Sequence, residues 1–134
     1  MILFAYGSGW LAAALLASTI GLAGLRSLLH RWRQPVATGW LRAHNWLGAA
    51  ATTLGVGHGL GSITRAQLPA GAEVGLWAAS FAMGLLVWEA VLGLTLSAAG
   101  PPQRRRLRRR HLAMMLVVVA LVALHVALDG PLPR

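Results

Sequence analysis

Four of the five histidines in this 134-residue chain form two pairs with one spacing. His44 and His58 are fourteen positions apart. His111 and His125 repeat that spacing near the other end of the chain. On an α-helix, fourteen residues bring the second side chain back to within roughly 40° of the first, about 21 Å further along the axis. Each pair is therefore expected on one face of its helix, where neutral imidazole can serve as a metal ligand.

The helices that must position these rings are apolar. The chain is 57% hydrophobic and only 11% charged, and a soluble domain of this size could not keep so much apolar surface out of water. The composition therefore predicts an all-α integral membrane protein, a single domain over residues 1–134. We expect a bundle of four transmembrane helices, with spans at about 2–29, 40–63, 74–98 and 111–128. The charges follow the first span, which indicates a retained helix and not a cleaved signal.

Arginine accounts for all 12 basic residues, and ten of them fall near two connections between spans. This bias indicates membrane orientation and no nucleic-acid partner. It predicts cytoplasmic loops at 30–39 and 99–110, both termini on the non-cytoplasmic side, and location in a bacterial inner membrane. His44 and His111 would then share the cytoplasmic (inner) depth, and His58 and His125 the outer depth.

The two halves of the chain have similar architecture. His44 and His111 are 67 positions apart, and His58 and His125 are separated by the same distance. Each half would be a span, a basic connection and a second span with two histidines.

A histidine within a membrane span is costly unless it faces the bundle interior and has a partner. Haem iron accepts imidazole at both axial positions, which suits electron transfer better than oxygen activation. One alternative is that the four histidines only bond neighbouring helices. Another is zinc or copper, although the chain has no cysteine and Glu89 is its only carboxylate deep in a span.

The pattern H-x13-H on alternate spans resembles the dihaem b-type cytochromes, namely the N-terminal bundle of respiratory cytochrome b and the membrane domain of ferric reductases and NADPH oxidases. WLRAHNWLG (40–48) is similar to the start of the haem-binding helix in the ferric reductase-like group, and RRRHLAMM (108–115) is a looser version. The resemblance implies two haem b groups, an inner one on His44 and His111 and an outer one on His58 and His125. The chain differs in lacking further spans and a flavin or nicotinamide domain.

The implied function is transmembrane electron transfer between a quinol or partner redox protein and an acceptor, with membrane lipid around the bundle. An alternative is a membrane-anchor or assembly subunit of a larger redox complex, with haem in a structural role. A small transporter or scaffold with structural histidines would bind no haem. No self-contained catalytic domain is expected.

Three further residues and one glycine cluster are candidates for the site. Arg42 and Arg65 are candidates for holding haem propionates, although Arg42 is equally explained by orientation. Glu89 is expected to be protonated, to bond a ligand imidazole, to accept a proton beside a quinol, or to pair with an arginine. The glycines around His58 remove side chains where a porphyrin would press, or simply allow close helix packing: Gly55, Gly57, Gly59 and Gly61.

Overall fold

The computed structural model describes residues 2–33, 39–63 and 73–129, and all regular structure in these ranges is helical. The four helices are α1 (Ile2–Arg31), α2 (Trp40–Ile63), α3 (Glu73–Ala98) and α4 (Pro101–Asp129). The boundaries of the first three helices agree with the predicted spans to within one or two residues. This is the ordinary precision of a helix boundary.

Helix α4 begins ten residues before the predicted span. The prediction of a loop over 99–110 is wrong in its second part, because residues 101–110, with all six arginines of the run, are helical. The amide of Arg104 donates to the carbonyl of Gly100 at 2.9 Å, which closes the first turn. Proline is favoured at the first helical position and arginine is a good helix former, so Pro101 starts this helix and does not break it.

Three of the helices are long and apolar enough to cross a membrane, judged by length and composition. These segments are Gly7–Arg31, Glu73–Ala98 and Pro101–Leu128. Helix α2 has 24 residues but is not among them, since it includes Arg42, His44 and Asn45 near its start and His58 near its end. An all-helical protein with three apolar candidate spans is thus established within the described residues.

The chain divides into two compact units, residues 1–58 and 59–134. In the first unit, α1 and most of α2 form an antiparallel hairpin. The middle of α1 meets the start of α2, where Thr19 lies beside His44 and close to Gly48. The first turns of α1 lie beside the last turns of α2, where Ser8 contacts His58.

In the second unit, α3 and α4 also run antiparallel. Glu89 and Gly93 of α3 lie beside His111, and Gly75 lies beside His125 near the other end. The buried positions of α3 follow helical spacing and are mostly small, which allows close approach of the backbones. They are Gly75, Ala78, Ala82, Leu86 and Glu89. The exposed face of α3 is rich in large apolar side chains, including Trp77, Phe81 and Trp88, as expected of a surface in contact with lipid.

Candidate functional site

The two histidines of α2 contact α1 through the same ring nitrogen. His44 Nδ1 lies 3.3 Å from the backbone carbonyl oxygen of Thr19. His58 Nδ1 lies 3.3 Å from Ser8 Oγ. Both rings are half-buried, and both partners on α1 are buried. The first helix therefore provides one polar partner for each of the two rings: a carbonyl, which accepts, for His44 and a hydroxyl for His58.

The acceptor for His44 is the backbone carbonyl of Thr19, and the Thr19 side chain has a separate partner. Its hydroxyl donates back to the Leu15 carbonyl at 2.8 Å, so the side chain is satisfied within α1. A carbonyl oxygen has two lone pairs, so the Thr19 carbonyl can serve its own helix and still accept from His44. The side chain is only 2% exposed, which keeps water from competing for this oxygen.

The two histidines of α4 contact α3 in the same way. His125 Nδ1 lies 3.2 Å from the backbone carbonyl oxygen of Gly75. His111 Nδ1 lies 2.9 Å from Glu89 Oε1. Each α4 ring therefore has one acceptor on the preceding helix, as the α2 rings do.

Glu89 differs from the other three acceptors because it is a carboxyl group. It is 2% exposed, close to the middle of α3. Its Oε1 and His111 Nδ1 are within ion-pair distance, but they are not aligned as a hydrogen bond. Its other oxygen, Oε2, has no hydrogen-bond partner within the described ranges. Glu89 thus closely approaches one of the four paired histidines, without a hydrogen bond between them.

These contacts decide which ring nitrogen carries the proton. A carbonyl oxygen can only accept, so Nδ1 of His44 and of His125 must donate. In a neutral imidazole the other nitrogen, Nε2, then carries the lone pair. Metal-binding histidines in proteins are oriented by this kind of bond from the second ring nitrogen to a carbonyl or carboxylate.

The contacts of His58 and His125 follow the 67-residue offset between the two halves of the chain. Ser8 precedes His58 by fifty positions, and Gly75 precedes His125 by the same number. Ser8 and Gly75 are therefore themselves 67 positions apart. The contacts of His44 and His111 match less closely, since Thr19 and Glu89 are 70 positions apart, about one helical turn out of register.

Two glycines lie against histidine rings. A Cβ built on Gly9 would be 2.9 Å from His58 Cε1, a distance that side chains do not tolerate. A Cβ on Gly93 would be 3.6 Å from His111 Cε1, an ordinary contact. Of the glycines predicted to make room for a porphyrin, Gly57 and Gly61 have open space around that position, whereas Gly59 faces Met83.

The remaining predicted residues are placed as follows. Arg42 is exposed in the first turn of α2, two positions before His44. Arg65 lies outside the described residues. Within the ranges 2–33, 39–63 and 73–129, no three or more histidine, aspartate or glutamate side chains cluster as a metal-binding group. A bis-histidine haem site requires only two such ligands.

Sequence reasoning missed three of the four Nδ1 partners: Ser8, Thr19 and Gly75. The signal for the two outer-depth partners was present, because Ser8 and Gly75 obey the 67-residue offset of the histidines. Thr19 gave no such signal, since its contact is made by the backbone.

Protein-family models, curated proteins and solved structures provide no match to this chain.

Proposed function

We propose that this protein is a four-span dihaem b-type cytochrome that transfers electrons across a membrane. His44 and His111 would hold the inner haem, and His58 and His125 the outer one. When bound, a bis-histidine haem supplies a one-electron carrier with both axial positions filled. The electron donor would be a membrane quinol or a partner redox protein, and a second redox partner would accept the electron.

The observation that carries this proposal is the Nδ1 contact made by each of the four histidines. Four rings with one spacing all direct Nδ1 toward the preceding helix, at 2.9 to 3.3 Å. Histidines that only join helices can use either ring nitrogen, whereas all four rings here use Nδ1. Rings that present Nε2 to iron require it, because the proton must sit on Nδ1.

The residues also fit the group in size and polarity. Gly9 leaves space for the His58 ring, and the Cβ positions of Gly57 and Gly61 are open, whereas Met83 lies against Gly59. The surrounding apolar helices would exclude water and lower the local dielectric, which helps to set a haem potential.

The proposal includes a topology. The arginines at 104–110 and Arg42 would lie at the cytoplasmic face of a bacterial inner membrane, with both termini outside. Arg42 would be positioned to meet propionates of the inner haem, and Arg65 those of the outer haem. With α2 as a fourth span, its histidines would face the bundle interior, where polar side chains are tolerated in membranes.

Haem content provides the test. The purified chain should bind two low-spin haems, measured by a reduced-minus-oxidised spectrum and by haem extracted per chain. His58→Ala and His125→Ala should each remove one haem, and His44→Ala and His111→Ala should each remove the other. His30→Ala is the matched control, because this fifth histidine is exposed at the end of α1 and should be dispensable.

Two results would contradict the proposal. A wild-type chain without haem would indicate structural histidines. Single variants of His58 and His125 that both retain two low-spin haems would mean that the ligands are assigned wrongly. If haem binds but is never reduced by quinol or by a redox partner, the anchor or assembly role is the better description.

A further inference from the structure

We infer that Glu89 is a positioning residue that makes the haem site of His111 the lower-potential site of the two. This inference rests on the proposed function, which it deepens by assigning an order to the two sites. An order of potentials requires that the two sites differ in structure. The 67-residue offset makes the two halves similar, and Glu89 is where they differ.

Glu89 has no counterpart in the other half of the chain. The repeat offset places Leu22 at the corresponding position of α1. Among the residues that the structure describes, Glu89 is the only charged one that is buried. The other acid of α3, Glu73, is exposed in the first turn of the helix.

The four acceptors differ in charge. His44 and His125 face neutral backbone carbonyls, and His58 faces a neutral hydroxyl. Among the ring contacts described above, the contact of His111 is the one to a carboxyl oxygen, at 2.9 Å. A carboxylate attracts a neighbouring N–H proton more strongly than a neutral oxygen does. At 2.9 Å, a Glu89 carboxylate would therefore polarise the Nδ1–H group of His111, although the two atoms are not aligned as a hydrogen bond.

A stronger pull on the Nδ1 proton makes Nε2 a stronger electron donor to iron. Oxidised iron carries one more positive charge than reduced iron, so it is stabilised more by a basic ligand and by a nearby negative charge. Both effects lower the reduction potential at His111. A carboxylate at this buried position would be screened by water and salt far less than a surface charge is.

The positive charges on α4 would raise the reduction potential at His111, but they lie on exposed side chains. Arg108, Arg109 and Arg110 directly precede His111, and all three are exposed. Solvent and counter-ions screen them. We therefore expect the contact with Glu89 to decide the sign of the difference between the two sites.

A purely structural role, in which Glu89 only holds His111 in place, makes a different prediction. Stability measurements would not separate these two roles, because removing either partner of a buried pair is destabilising. The reduction potential separates them, since a structural contact would not move one haem relative to the other.

The experiment is a redox titration of the haem-loaded protein followed by absorbance. Glu89→Gln keeps the size and an acceptor oxygen but removes the charge. We expect one of the two titration steps to move to higher potential, by about tenfold in the reduction equilibrium, or about 59 mV for one electron. The other step should not move. Glu73→Gln makes the same change at an exposed position of the same helix, and neither step should move.

Ligand variants identify the step. In the His58→Ala background, which keeps the site of His44 and His111, Glu89→Gln should still raise the single remaining potential. In the His111→Ala background it should change nothing. If Glu89→Gln does not retain haem, Glu89→Asp withdraws the carboxylate by one methylene, and the same step must rise.

The outcomes separate the two proposals. Two titration steps that are both unchanged in Glu89→Gln, or a rise at the His58 and His125 site instead, would overturn the role of Glu89 and leave the dihaem assignment intact. A wild-type protein without haem would overturn both.

Discussion

Gly9 is the residue on α1 that makes room for the His58 ring. A methyl group there would lie 2.9 Å from ring carbon Cε1 and 3.2 Å from each ring nitrogen. We expect Gly9→Ala to push the ring away from Ser8, at a cost of about 1–3 kcal/mol for overpacking. Haem content should fall by one per chain, and the melting temperature in detergent should drop.

Gly93→Ala is the matched control for this change. It introduces the same methyl group next to His111, but at 3.6 Å from the ring. Alanine is favoured over glycine within a helix by about 1 kcal/mol, so this variant should be as stable as the wild type or slightly more stable. Equal losses of stability and haem in both variants would show that the ring at His58 is not confined by Gly9.

At the same scale, side chains were easier to predict than backbone acceptors. The histidines and Glu89 could be singled out because ionisable groups within apolar helices are rare. The carbonyl groups of Thr19 and Gly75 could not, because every residue carries a carbonyl and only the packing of two helices selects one. The tautomers of His44 and His125 depend on those carbonyls, so they too required a structure.

At the scale of the element, α4 joins an arginine-rich segment to an apolar one without interruption. Residues 101–129 form one helix, so the arginines at 104–110 continue the axis that bears His111 and His125. Prolines and a charge run normally indicate a loop, which is why the predicted fourth span began only at His111. The rule that proline favours the first turn was the better guide here.

The continuity of α4 can be checked with single cysteine variants, since the chain has no cysteine. Spin labels at successive positions from 103 to 110 should show mobility that varies with a period of about 3.6 residues. Leu107 should be the most restrained site, because it is the only half-buried residue between the flanking arginines. Uniformly high mobility across these positions would indicate a loop and contradict the helix.

At the scale of the whole molecule, the arginine distribution predicts how the protein lies in a membrane. A cysteine at Gly100 should react with a membrane-impermeant reagent only after the cells are permeabilised. A cysteine added after Arg134 should react in intact cells. The reverse pattern would exchange the inner and outer sites but leave the histidine pairs unchanged.

The division of acceptors between backbone and side chain also limits how such a protein can diverge. No point mutation can delete the carbonyl groups that serve His44 and His125, whereas one nucleotide change can replace Ser8 or Glu89. In the proposed pairing, each site has one partner of each kind. Inherited variation at position 8 could therefore adjust one site, and variation at position 89 the other, each independently of its neighbour.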